Sequence, residues 1–177
     1  MRSFIHSTLV LSCWLLVGGI STADDDAGKT PATTSVQSVP AHLPQLIKEL
    51  RTSGCAMPAS AAQLVGIGKP AVPALIELLD APNWVPRWKA ARVLGLMGPE
   101  AKEALPALEK ALQREKPHVF ERQFLPLAIA AIKVDTKPLI DCVEGKTKSS
   151  DAARGFAAEL LRRVRLQETT DASRTTS

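Results

Sequence analysis

Apolar residues in this chain fall into short runs at helical spacing, separated by glycine and proline. Leu43, Leu46, Ile47 and Leu50 recur at three- and four-residue intervals and stop before Ser53-Gly54, which predicts an amphipathic helix over Leu43–Leu50. Ala59–Ile67 predicts a second helix closed by Gly68, with Pro73–Asp80 as its partner and Ala81-Pro82-Asn83 as the following turn. Pro86–Met97 comes next, closed by Gly98, then Lys102–Arg114, broken at Lys116-Pro117. Val119–Val134 carries Pro126 inside it, where a kink is expected, and Pro138–Glu144 is a shortened partner ended by Gly145. Ser149-Ser150-Asp151 supplies the start signal for a last helix running to about Leu166, because such side chains accept from the orphan amides of a first turn.

The runs repeat. Gly68-Lys69-Pro70-Ala71-Val72-Pro73-Ala74-Leu75 is echoed by Gly98-Pro99-Glu100-Ala101-Lys102-Glu103-Ala104-Leu105-Pro106-Ala107-Leu108, and more weakly by Val134-Asp135-Thr136-Lys137-Pro138-Leu139-Ile140. Pro73, Pro106 and Pro138 stand 33 and 32 residues apart. A fixed period of that size means stacked helical pairs, each too small to bury its own apolar face. Within a pair, Ala90, Ala91 and Gly95 let neighbouring helices approach, and Leu94 and Met97 fill the seam. The second helix sets Leu75, Leu78 and Leu79 on one face and Glu77 and Asp80 on the other.

The run from Val85 through Trp88, Ala90, Ala91, Arg92 and Leu94 to Gly98, with the Pro-Ala-Leu phrases at Pro73 and Pro106, resembles HEAT repeats, in the short form also seen in phycobilin lyases. The middle array, 59–113, carries the likeness. The third unit departs from it, since Ala131-Ile132-Lys133-Val134-Asp135 runs into Pro138 without the usual loop. The resemblance implies an all-α protein, a right-handed α-solenoid of about three HEAT-type pairs plus a terminal helix, over residues 43–166. It also implies a groove lined by second helices that binds other macromolecules.

Composition agrees with helices. Aromatics are 4% of the 177 residues and Tyr is absent, so Ala, Leu, Val and Ile must build the interior. The start of the chain has a different character. Arg2, the apolar run from Leu9 to Val17 and the small residues Ser21-Thr22-Ala23 read as a signal peptide, 1–23, cleaved after Ala23. The alternative is an uncleaved anchor. Residues 24–42 read as a disordered tether and 167–177 as a disordered tail. The expected location is secreted or periplasmic, with no membrane association after cleavage. Loss of Arg2 lowers the net charge of +4 by one, too mild a balance to argue for nucleic acid. Cys55 and Cys142 remain, and a solenoid sets them two or three repeats apart. That exceeds the roughly 7 Å between Cα atoms that a disulfide tolerates, so two thiols are expected.

Candidate chemistry is sparse. His42 and His118 are the histidines left after cleavage, and no nucleophile, phosphate-loop or metal-ligand spacing accompanies them. The reading is therefore non-catalytic, with no cofactor and no metal. Glu77, Glu109, Lys110, Asp141 and Glu144 should project from second helices, and aligning the prolines sets Glu77 beside Lys110 and Glu109 beside Asp141. They are candidates for contact with a protein partner; a merely solvated face is the alternative. Trp84 and Trp88 with Arg87 form a second candidate, as an aromatic anchor, against the reading that they staple the helix entry and pack between repeats. Arg154, Arg162, Arg163 and Arg165 make the last helix basic. They suit an anionic contact or, alternatively, the dipole at a helix C-terminus. The function expected is an exported protein-binding or scaffolding module. Two alternatives remain. An accessory holding a small hydrophobic ligand would show a deep apolar cleft near Trp84 and Trp88. A self-assembling subunit would expose Phe156 or Leu160.

Overall fold

In a computed structural model the chain is described from residue 40 to residue 175. The signal peptide and the tether up to residue 39 lie outside the described residues, as do the last two residues of the tail. Among the described residues there are eight α-helices and no strand: α1 (Leu43–Thr52), α2 (Ser60–Ile67), α3 (Val72–Leu79), α4 (Trp84–Met97), α5 (Leu105–Leu112), α6 (Val119–Lys133), α7 (Thr136–Val143) and α8 (Asp151–Thr175). Short 3-10 turns at Lys69–Ala71 and Gly98–Ala104 lead into α3 and α5.

The helices form two layers. The first helices α2, α4, α6 and α8 pack in sequence, α4 against α6 most extensively. The second helices α3, α5 and α7 each lie on the first helix of the next pair, α3 on α4, α5 on α6 and α7 on α8. Helix α1 behaves as a leading second helix, packed on α2, α3 and α4. This is a solenoid of the HEAT type, in which each unit buries its apolar face against its neighbours. The interior is aliphatic: Leu50, Leu64, Leu75, Leu78, Leu94, Leu108, Leu125 and Ile132 are almost fully buried, and each such side chain contributes about 1.5–3 kcal/mol. Gly95 sets the closest approach. A Cβ there would stand 3.0 Å from the Ala128 Cα and 3.2 Å from the Phe156 ring.

Repetition extends to the backbone. Gly68 and Gly98, at the junctions inside the first two pairs, share one conformation, φ 68°, ψ −139° and φ 61°, ψ −136°. A side chain would be strained there, which is why the phrase begins with glycine. The third junction is different. Val134 takes φ 59°, ψ 32°, left-handed for a β-branched residue. The Asp135 amide donates to the Ala130 carbonyl at 2.8 Å, and the Asp135 carboxylate accepts from the Lys137 amide at 3.2 Å. One tight cap therefore replaces the 3-10 turn, and α7 starts directly.

Helix α6 carries Pro126 inside it, as the sequence reading has it. The end of α8 differs from that reading. Helix α8 does not stop near Leu166 but runs to Thr175, so the stretch expected as a disordered tail is helical as far as it is described. No glycine or proline interrupts that stretch, and extending an existing helix needs no new nucleus.

Candidate functional site

The aromatic residues expected at a loop edge are part of the packing. Trp84 opens α4 and stacks on His118, with ring centroids 3.7 Å apart, and on Phe120 at 5.6 Å. Trp88, one turn on, meets Phe120 and Phe124, and Phe124 meets Phe156 at 5.3 Å. All five aromatic residues beyond the signal segment thus join one column through α4, α6 and α8. Where a ligand holder would need a deep cleft beside Trp84 and Trp88, rings fill the space. His118 also caps α6. Its Nδ1 accepts from the Phe120 amide, and its own amide donates to Glu121 Oε2 at 2.8 Å.

Arg87 belongs to the same seam. Its Nε and Nη2 donate to the two carboxylate oxygens of Glu121 at 2.6 and 3.0 Å, while Nη1 reaches the Ala81 and Pro82 carbonyls. Glu121 is completely buried. Burial pushes its carboxyl pKa up, but hydrogen bonds from Arg87 and the His118 amide, with the charges of Arg87 and Arg114, hold it below the ordinary carboxylate range. Arg92, five residues on, is the opposite case. Its guanidinium lies over the Phe124 and Phe156 rings, 5.8 and 5.1 Å from their centroids, and its Nε finds no acceptor among the described residues. Nothing in the sequence singles out Lys89. It is wholly buried, and its Nζ donates to the Ser53 carbonyl at 2.8 Å and the Ser53 hydroxyl at 2.6 Å, tying α4 to the end of α1. Burial lowers its pKa, an effect the nearby Cys55 partly offsets. Cys55 is exposed and Cys142 buried, both as free thiols.

The proline alignment sets Glu77 beside Lys110 and Glu109 beside Asp141, but the ion pairs these residues make run elsewhere. Lys110 pairs with Asp80 at 3.3 Å, not with Glu77. Asp80 sits at the C-terminal cap of α3, one turn beyond Glu77, and also takes Arg114 at 2.9 Å. Glu109 pairs with Lys133 of α6 at 2.7 Å, whereas Asp141 pairs with Lys146 at 3.6 Å. Glu109 and Asp141 are not brought together because α7 leans on α6 and α8 rather than on α5. Glu77 stays exposed beside Lys48 and Arg51, at a shallow groove between α1 and α3.

The basic last helix resolves into local pairs. Arg154 pairs with Asp151, and Arg162 and Arg163 share Glu159. Arg163 also donates to the Leu96 carbonyl of α4 at 3.2 Å. Because α8 continues to Thr175, Arg162, Arg163 and Arg165 lie at its middle and Arg154 in its first turn, and the C-terminal dipole does not account for them. Phe156 and Leu160 face inward and are buried. The open surface lies elsewhere on α8. A groove of about 520 Å³ runs between α7 and α8, with Ile140, Val143, Ala158, Leu161 and Leu166 as its apolar lining and Arg162 and Arg165 among its polar ones. Val143 is 40% and Leu166 55% exposed.

A family model of HEAT repeats matches residues 43–125. Residues 43–125 are HEAT repeats. The matched segment covers α1 to the first half of α6, including both glycine-closed junctions. It is a match to HEAT repeats in general and supports no narrower likeness to the phycobilin lyases. No curated protein and no solved structure matches the chain. HEAT arrays are protein-interaction and scaffold modules, and their stacked second helices form extended binding surfaces.

Proposed function

We propose that this HEAT-repeat chain is an exported, non-catalytic module that binds another protein at the α7–α8 end of its second-helix layer. One observation carries the reading: α7 is the last second helix among the described residues, and the apolar groove beside it exposes Val143 and Leu166. Apolar side chains that large, grouped over a concave floor and rimmed by arginine, mark interaction surfaces. Of the other candidates, Trp88 is in the ring column, Arg87 is on Glu121, Lys110 on Asp80 and Glu109 on Lys133, and Glu77 stays exposed. Support for the non-catalytic part is that His118 is occupied in a cap and a ring stack. Support for export is the N-terminal sequence, Arg2 followed by an apolar run and Ser21-Thr22-Ala23.

A photo-crosslinking residue placed at Val143 or Leu166, with Ala62 on the far layer as control, tests the reading in the cells that make the protein. A discrete protein adduct from positions 143 and 166 and none from 62 is expected. Equal adducts from all three, or none from 143 and 166, would remove this site. Sequencing the N-terminus of the processed chain tests export: a start at Asp24 is expected, and an intact Met1 in the cytosol would overturn it.

A further inference from the structure

The geometry points to a helix as the occupant of the α7–α8 groove: a partner's short amphipathic helix bearing carboxylates, seated where the second helix of a fourth pair would lie. This rests on the groove being the binding face. The argument is one of register. In each complete pair a second helix follows its first helix; along the second-helix layer α3 touches α1 and α5 touches α3, while α7 touches its own first helix α6 rather than α5. Among the described residues α8 is a first helix without a second. A helix completing its pair would touch α8 on one side and α7 on the other, and α7 and α8 are the two walls of the groove.

The faces of α8 agree, at about 100° per residue. Phe156 looks towards α6, where its ring meets Phe124, and Arg163 reaches back to α4. Going round the helix from Phe156 and away from Arg163, the buried Ala157 and Leu161 come next, then Ala158, Arg162, Arg165 and Thr169. Those last four, with Leu161, Leu166, two residues of α7 and its cap Glu144, line the groove. The groove therefore lies one step past α7 on the side away from α6, the side on which a further second helix belongs. Length agrees too. From Ala158 to Thr169 is roughly 17 Å of helix at ~1.5 Å per residue, and an eight-residue helix, the length of α3, α5 and α7, spans roughly 12 Å.

Charge selects the polar face of the occupant. Arg162 is held by Glu159, and Glu144, on the opposite wall, is held by Lys146 at 2.7 Å. Arg165 is exposed on the groove, and no carboxylate among the described residues pairs with it. A carboxylate on the incoming helix would meet it, as Glu109 of α5 meets Lys133 of α6. The required sequence is thus apolar at i, i+3 and i+4 with an acidic residue on the flank, which is the pattern of α3, with Leu75, Leu78 and Leu79 beside Glu77 and Asp80.

The chain's own α3 is accordingly the probe. A fluorescent synthetic peptide copying Lys69–Ala81 is titrated against the purified chain and followed by anisotropy. Saturable binding is expected, weakened about tenfold or more by Val143→Glu and by Leu166→Glu, since each removes a leucine-sized apolar contact. Arg165→Glu should weaken it about threefold, as an exposed charge pair does. A peptide with Leu75→Ser and Leu78→Ser should not bind. Both apolar positions are well exposed, so circular dichroism of these variants should match the wild type. No saturable binding, or equal binding to wild type and both variants, overturns the inference. Carbon chemical shifts of the labelled peptide test the helix separately. Helical shifts in the complex are expected, and an extended bound peptide would overturn the helix while leaving the crosslinking result, and the binding role, standing.

Discussion

The two glycine-closed pairs, α2–α3 and α4–α5, and the end of the array, α6–α8, are built on one phrase closed in two ways. In the first region Gly68 and Gly98 share a backbone conformation, a 3-10 turn follows each, and α3 and α5 are tied through Asp80 to Lys110 and Arg114. In the second region Val134 takes the glycine's place, the turn is lost and α7 packs on its own first helix α6 as well as on α8, and not on α5. The regular region spends its second-helix face on its own neighbours. The irregular one leaves part of that face open, and this is where the groove lies. A departure from the repeat is therefore the informative part of the array, and the family match ends inside α6, before it.

Five variants break or sharpen this contrast. The largest effect belongs to the seam between the regions. Glu121→Ala strips the carboxylate from Arg87, itself only 13% exposed, and an unpaired buried cation costs about 3–5 kcal/mol. Urea denaturation should show that loss; a cost under ~1 kcal/mol would mean that the ring column holds the seam without the ion pair. The same group sets an acid limit. Its folded pKa is lowered, so its contribution is fully present above the unfolded value of about 4.3 and is lost as pH falls through the folded value. In Glu121→Ala that acid slope should flatten.

Next comes the packing within the seam. Gly95→Ala puts a methyl 3.0 Å from the Ala128 backbone and 3.1 Å from its Cβ. Neither atom can move without moving α6, so the variant should lose about 1–3 kcal/mol. Val134→Gly should act in the opposite sense, raising stability by about 1 kcal/mol, because a left-handed β-branched residue carries roughly 1–2 kcal/mol of strain. A gain there would show that the third junction adopts the shape of its cap despite its residue. No gain would mean that Val134 makes compensating contacts.

How much of this is legible in the sequence depends on the kind of signal. Helix starts and stops are, because proline, glycine and the Asp135 cap act on the backbone within a few residues. The role of Trp84 and Trp88 is open to both readings. Their spacing of four puts them on one face of α4, but the partner rings on α6 lie more than thirty residues away. Lys89 is invisible: in sequence it is one more charged residue on an amphipathic helix, and only the fold brings the end of α1 over it. The end of α8 misleads because its polar composition is also that of disordered chain, although nothing in 167–175 breaks a helix. The groove is not legible either, since it exists through the displacement of α7, and no local pattern records where a helix leans.

The smallest effect tests the proline alignment itself. A shared proline fixes the position along each second helix but not the offset between neighbouring helices, and a lysine side chain reaches across a full turn. Lys110 therefore finds Asp80 where the alignment places Glu77. That pair is open to water, with side chains 72% and 57% exposed, and such pairs are worth about 0–1 kcal/mol. Lys110→Ala should thus change stability by less than about 0.5 kcal/mol. Asp80→Ala should cost more, because Asp80 also holds Arg114, which is 26% exposed and in addition donates to the Leu79 carbonyl. In a double-mutant cycle Lys110 should couple to Asp80 and not to Glu77. Coupling to Glu77 instead would restore the alignment's register and shift α5 by a turn against α3. The regular half of the array would then need the same revision as the irregular one.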